Sequence, residues 1–262
     1  MNRILALAIL TFKEGIRDRA LLGITLISVL MLAATILITG LYAHQLGKVM
    51  VDLNLSTIGF SGLLLTLFVN INLMAKDIDK RTIYCVLSKP ISRTEYIIGK
   101  YAGLIMLTTI CLTFLLIVSS ILIVINKGMS PDYFFRDFFW KCYFQAFFYE
   151  LMMFLILNAV VIFFSSITTS SFLTMILSLA TYITGQTIEE VLIFFQKEAI
   201  EANIAPSNIN EAIVSISQYI FPNFSAFDIK TMAAHGKLLS SSHTIAISFY
   251  CFIYTILLLY FS

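Results

Sequence analysis

Few residues in this sequence could do chemistry, and the sharpest of them is Glu150. It is the one acid deep inside a long apolar run, where an ionisable carboxyl is costly and marks a functional position by default. Phe154 and Asn158 follow at spacings of four and eight, so all three share one face of a helix. Asn70 and Asn72 lie in a second apolar run, and Thr181, Thr184 and Gln186 in a third. These amides and hydroxyls offer hydrogen bonds rather than bond-making chemistry. They suit either a polar path through a membrane or contacts that join helices, each contact worth about 1 kcal/mol.

The other concentration of polar groups is segment 76–100, which carries nine of the 32 charged side chains and is mainly basic. Residues 77–87 can form a helix, with Asp77 and Asp79 near its positive N-terminal end. Pro90 disfavours helical geometry at Lys89 and stops it. Ser92 and Glu95 then have the spacing of a capping box, which starts a second helix at Arg93. Glu95 is therefore read as a cap and not as a catalytic acid. Gly99 and Gly103 form a small-xxx-small pair suited to close helix packing.

Other chemistries find no footing. The four cysteines, Cys85, Cys111, Cys142 and Cys251, are scattered without a CxxC pair, which suggests neither a zinc site nor a disulfide framework. His44, His235 and His243, with Met50 and Met232, are ligand types that suit copper, but their spacings match no metal motif. They are expected to be ordinary surface or interface residues, and no metal site is expected. No GxxxxGK[ST] phosphate loop occurs, so ATP, if used, is hydrolysed by another chain. A net charge of +2 gives no case for nucleic acid.

The elements that must position these groups follow from composition. The sequence is 59% hydrophobic and 12% charged, with a mean hydropathy of +0.92; soluble domains carry about 25% charged residues. This predicts an all-α, integral membrane protein, because helices satisfy their own backbone in lipid. Six runs are long enough to span, at about 20–41, 56–75, 101–125, 140–164, 171–187 and 244–261. With the termini inside, ten of the 17 basic residues fall on roughly 50 inner residues and seven on roughly 80 outer ones. That asymmetry favours cytoplasmic termini.

The non-spanning parts then take their places. The N-terminus, with Ile4, Leu5, Ala8, Ile9 and Phe12 on one face and Lys13, Arg17 and Arg19 behind, reads as an amphipathic interfacial helix. Residues 165–170 are a tight Ser/Thr turn. Segment 188–243 is extracytoplasmic, with a short helix capped by Asn208 and Glu211 that ends before Pro222. The aromatics dense over 133–149 form an interfacial belt.

One run carries a resemblance. Lys80-Arg81-Thr82, Leu87-Ser88-Lys89-Pro90-Ile91-Ser92-Arg93, Glu95-Tyr96 and Gly99-Lys100-Tyr101 resemble the loop between spans two and three of ABC-2-type transporter permeases. The subgroup is the one similar to the permease of the copper-enzyme maturation system. The likeness extends to the N-terminal helix, the six spans, the Ser/Thr turn and the stretch from Phe221 to Phe227. It implies that 1–262 is a single ABC-2-type transmembrane domain, with a cytoplasmic coupling helix between spans two and three.

The same resemblance assigns Asp77, Asp79, Lys80, Arg81, Thr82, Leu87, Ser88, Lys89, Pro90, Arg93 and Glu95 to contact with an ATPase. It implies two ATPase subunits holding ATP and Mg2+, no cofactor on this chain, and a second permease copy or close paralogue. It also sets spans two and five near the dimer interface, which makes Asn70, Asn72, Thr181, Thr184 and Gln186 candidates for a substrate path, beside Glu150 and Asn158 of span four, which the intramembrane carboxyl and its helical face single out. The expected function is an exporter permease in a bacterial cytoplasmic (inner) membrane. The rival is a non-transporting subunit that passes ATPase strokes to an extracytoplasmic partner protein through segment 188–243. A secondary transporter is disfavoured, because inverted repeats and Gly/Pro-broken spans are not evident.

Overall fold

The computed structural model describes residues 2–40, 46–74, 92–168, 170–202 and 221–262, and no strand occurs among them. Helix α1 covers Asn2–Ile16 and α2 covers Arg19–Thr39. Helix α3 covers Leu46–Leu64 and continues through a π-helical stretch, Leu65–Asn70, as far as Met74. Then come α4 (Arg93–Met129), α5 (Trp140–Ile167), α6 (Ser171–Ala202), the short α7 (Lys230–Ala234) and α8 (Ser241–Phe261). Six of them (α2, α3, α4, α5, α6 and α8) are long and apolar enough to cross a membrane. The molecule is an all-α, multi-pass membrane protein.

Local chemistry explains where the helices begin. Asp18 caps α2 by accepting the Ala20 N–H at 2.9 Å. Ser92 and Glu95 form the full reciprocal box at the start of α4: Glu95 N–H donates to Ser92 Oγ at 3.2 Å, and Ser92 N–H donates to Glu95 Oε2 at 2.9 Å. Helix α4 therefore begins eight residues before the apolar run expected at 101.

Helix α3 begins at Leu46, ten residues before the apolar run expected at 56. Lys48 and Asp52 dilute the hydropathy of that first stretch. Yet Gly47, Met50, Val51, Asn54, Leu55 and Ile58 are all buried, at the three-and-four spacing of an inward face. Lys48 is paired with Asp137 at 3.2 Å, clear of that face. Helix α6 likewise runs past the apolar segment expected at 171–187. Glu189 and Glu190 end the hydropathy, not the helix.

Helices α3 and α5 form the centre. Within their most apolar windows 72% and 67% of residues are buried, against 17–33% in the other four spans. The largest core cluster joins Leu55 and Ile58 of α3, Leu112 and Leu115 of α4, Tyr149 and Phe154 of α5, and Phe224 and Phe227 beyond α6.

Helix α1 lies against the start of α4, where a Cβ on Gly99 would meet Leu7 Cβ at 2.8 Å and one on Gly103 would meet Thr11 Cβ at 2.6 Å. The small-xxx-small pair thus packs α1. This docking changes the expected face of α1: Leu7, Ala8 and Thr11 are buried, while Leu5 and Ile9 stay exposed beside them as a second apolar strip. A helix that lies on lipid and on another helix needs two faces, and the amphipathic pattern alone had merged them.

The opposite end of the bundle is closed by residues 221–240. Phe224, Phe227, Ile229, Ala233 and Ala234 are buried there among the ends of the spans. Phe224 N–H donates to Gly185 O at 3.0 Å, which anchors this cap to α6.

Candidate functional site

The cap and the central helices meet at a charged cluster. Helix α5 carries Glu150 about 15 Å from its start, ten residues on at the helical rise. Its side chain is 2% exposed. The nearest cation is Lys230, the first residue of α7, with Nζ at 3.8 Å from Glu150 Oε1 and at 3.5 Å from Asp228 Oδ2. Neither Glu150 oxygen has a hydrogen-bond partner among the described residues. The contact is therefore Coulombic without the hydrogen bonds that usually offset desolvation of a buried pair.

Gly59 of α3 makes room for the cluster. A Cβ there would stand 3.1 Å from Glu150 Oε1 and 3.4 Å from Lys230 Nζ. Burial pushes the Lys230 ammonium down, but the carboxylates of Glu150 and Asp228 outweigh it and hold the group above its ordinary value.

One turn along α5, Phe154 fills the place that Gly62 leaves open: a Cβ at 62 would be 2.4 Å from the ring. A further turn on, Asn158 is wholly buried and accepts from Asn70 Nδ2 at 2.6 Å. Asn158 Nδ2 donates to the Phe154 carbonyl at 2.8 Å and reaches Thr108 Oγ1 of α4 at 3.5 Å. Glu150, Phe154 and Asn158 thus face α3 together, as their spacing predicts. Asn70 closes the π-helical stretch, a backbone form that recurs at functional sites.

The remaining predicted path residues do not join this column. Asn72 is exposed on α3. Thr181 is buried, and its hydroxyl donates to Leu177 O of its own helix at 2.8 Å. Thr184 is half-buried. Gln186 donates to Tyr182 OH at 3.3 Å and approaches Met153 Sδ at 3.8 Å. Of the predicted ATPase contacts, Arg93 and Glu95 stand at the start of α4. Asp77, Asp79, Lys80, Arg81, Thr82, Leu87, Ser88, Lys89 and Pro90 lie outside the described residues, as do His44, Cys85, Asn208 and Glu211.

Sequence reasoning missed Lys230. Nothing local marks it, since it is one lysine in a polar stretch more than 70 residues from its partner. It also missed the buried pair in which Thr35 Oγ1 donates to Asn54 Oδ1 at 2.9 Å, and the buried contact of Ser119 with Tyr143 at 2.5 Å. The buried spacing over Leu46–Leu64 was the available signal for Asn54.

The chain matches the family model described as ABC-2 family transporter protein over residues 5–239. No curated protein matches it.

Proposed function

The chain belongs to the ABC-2 transporter family, and on that footing we propose that it is the permease subunit of an ATP-driven exporter, worked by a separate ATPase. The α1 end faces the cytoplasm of a bacterial inner-membrane protein, and the cap end faces outward. Segment 76–100 is the part that docks on the ATPase. The path runs between two permease copies, along α3 and α6. ATP and Mg2+ belong to the ATPase subunits.

The observation that carries this reading is the continuity of α4. It starts at the capped Ser92, inside the basic segment, and runs 37 residues without a break to Met129. At the helical rise that is a rod of about 55 Å, longer than the bilayer is thick. A push at Arg93 therefore reaches the cap end of the molecule, and α1, locked on Gly99 and Gly103, moves with it. The basic side chains Lys80, Arg81, Lys89 and Arg93 suit an acidic docking surface.

The test is co-purification of the chain with its ATPase from membranes. Arg81→Glu combined with Arg93→Glu is expected to abolish recovery of the ATPase while leaving the permease folded. Undiminished recovery would remove the coupling assignment.

A further inference from the structure

We infer that residues 221–240 form a movable plug in the mouth of the bundle, and that Lys230 with Glu150 is the releasable latch that seats it. The inference goes beyond the permease reading and is tested without an ATPase.

Three observations carry it. First, the segment is seated and not merely laid on the surface: Phe224, Phe227 and Ala233 are at most 3% exposed. Second, its ties at the rim are hydrogen bonds that water can replace; beside the Phe224–Gly185 backbone bond, Ser225 Oγ donates to the Glu189 carboxylate of α6. Leu239 N–H donates to Gln145 Oε1 at 3.2 Å, Gln145 Nε2 donates to Leu239 O at 3.3 Å, and Asn223 N–H donates to Tyr250 OH at 3.0 Å. Third, the ion pair between plug and core is poorly satisfied. Lys230 and Glu150 approach to 3.8 Å, and neither carboxylate oxygen accepts a hydrogen bond among the described residues.

A pair built as permanent cement would be fully hydrogen-bonded, because desolvation of both charges otherwise erodes the Coulombic gain. An incompletely satisfied pair narrows the gap between seated and lifted states. When the plug lifts, Lys230 leaves with Asp228, its 3.5 Å partner on the same segment, so the cation is never without a carboxylate. Glu150 is left facing the opened mouth beside Gly59, where water reaches it. The two states exchange one carboxylate contact for hydration, which is the physical content of a latch.

The experiment is cysteine accessibility in the purified full chain, with Cys85, Cys111, Cys142 and Cys251 replaced. Ala233→Cys reports on the plug and Ala159→Cys, fully buried in α5, reports on the core; both are probed with a water-soluble maleimide. Glu150→Gln and Lys230→Gln are each expected to raise labelling at 233 at least about tenfold, the population change made by about 1.4 kcal/mol. Labelling at 159 should stay unchanged. The exchanged pair Glu150→Lys with Lys230→Glu, made together with Asp228→Asn to remove the like charge beside position 230, should bring labelling at 233 back to within about threefold of the starting rate, about 0.7 kcal/mol. Unchanged labelling at 233 in the single variants overturns the latch. A parallel rise at 159 also overturns it, because the pair would then be a support of the whole bundle.

Discussion

Lys230 and Glu150 show at the residue scale how much a buried charge depends on its company. Removing one member of a buried pair leaves the other without its counter-charge, which is destabilising. Lys230→Met is therefore expected to lower the melting temperature in detergent. The pH dependence has a definite sign. The folded-state value of Lys230 is raised above the ordinary 10.5. The stabilisation is then fully present below the unfolded value and is lost as pH climbs through the folded one. The gap in melting temperature between wild type and Lys230→Met should shrink as the pH rises above about 10.5. A gap that stays unchanged as the pH is raised well past 10.5 would contradict the assignment of Lys230 as the titrating partner.

Phe154 and Gly62 add a second residue-scale point. The spacing of Glu150, Phe154 and Asn158 announces one helical face, and the structure keeps that face intact against α3. What the spacing leaves open is which of three very different contacts each residue makes: an ion pair, a ring in a glycine notch, and a buried amide pair.

At the scale of elements, α1 and α4 behave as one unit. Gly103 lets Thr11 and Ala8 approach to distances that any side chain would forbid, with the Ala8 carbonyl 2.8 Å from an added Cβ. Gly103→Leu is expected to detach α1 while the spans stay assembled. Hydrogen exchange should show Leu7, Ala8 and Thr11 losing protection, with α5 unaffected; retained protection of α1 would mean that its docking does not depend on this contact. The capping box at Ser92 and Glu95 was readable from four residues because it is a local device. The docking of α1 was readable only in part. Gly99 and Gly103 announced a close contact, but not that the partner was the N-terminal helix.

For the whole molecule, the central place of α3 and α5 organises the rest. They bury their polar residues in protein, while α2, α4, α6 and α8 turn broad apolar faces outward. The two ends are chemically distinct: α1, Ser92 and the Thr168 turn at one, and the cap with the tips of α3 and α5 at the other. With the chain's own cysteines replaced, Ser92→Cys is expected to react with an impermeant maleimide only from the cytoplasmic face of inverted vesicles. Tyr133→Cys, exposed at the far end, should react only from the other face. Labelling of both from one side would reverse or break the proposed topology.

Sequence alone settled what depends on composition and short-range geometry. An oily chain with few charges must hide its backbone in helices, long apolar runs must cross the bilayer, and a Ser with a Glu three residues later must start a helix. It also singled out Glu150 as costly, since a carboxyl in lipid is costly wherever the chain goes next. Tertiary structure alone decided what compensates that cost. Lys230 follows Glu150 by eighty residues and carries no mark of its role, because an ion pair is defined by distance in space and leaves no period in the sequence. The same holds for the first turns of α3: charges lowered their hydropathy, and only packing against α5 and the cap revealed them as core.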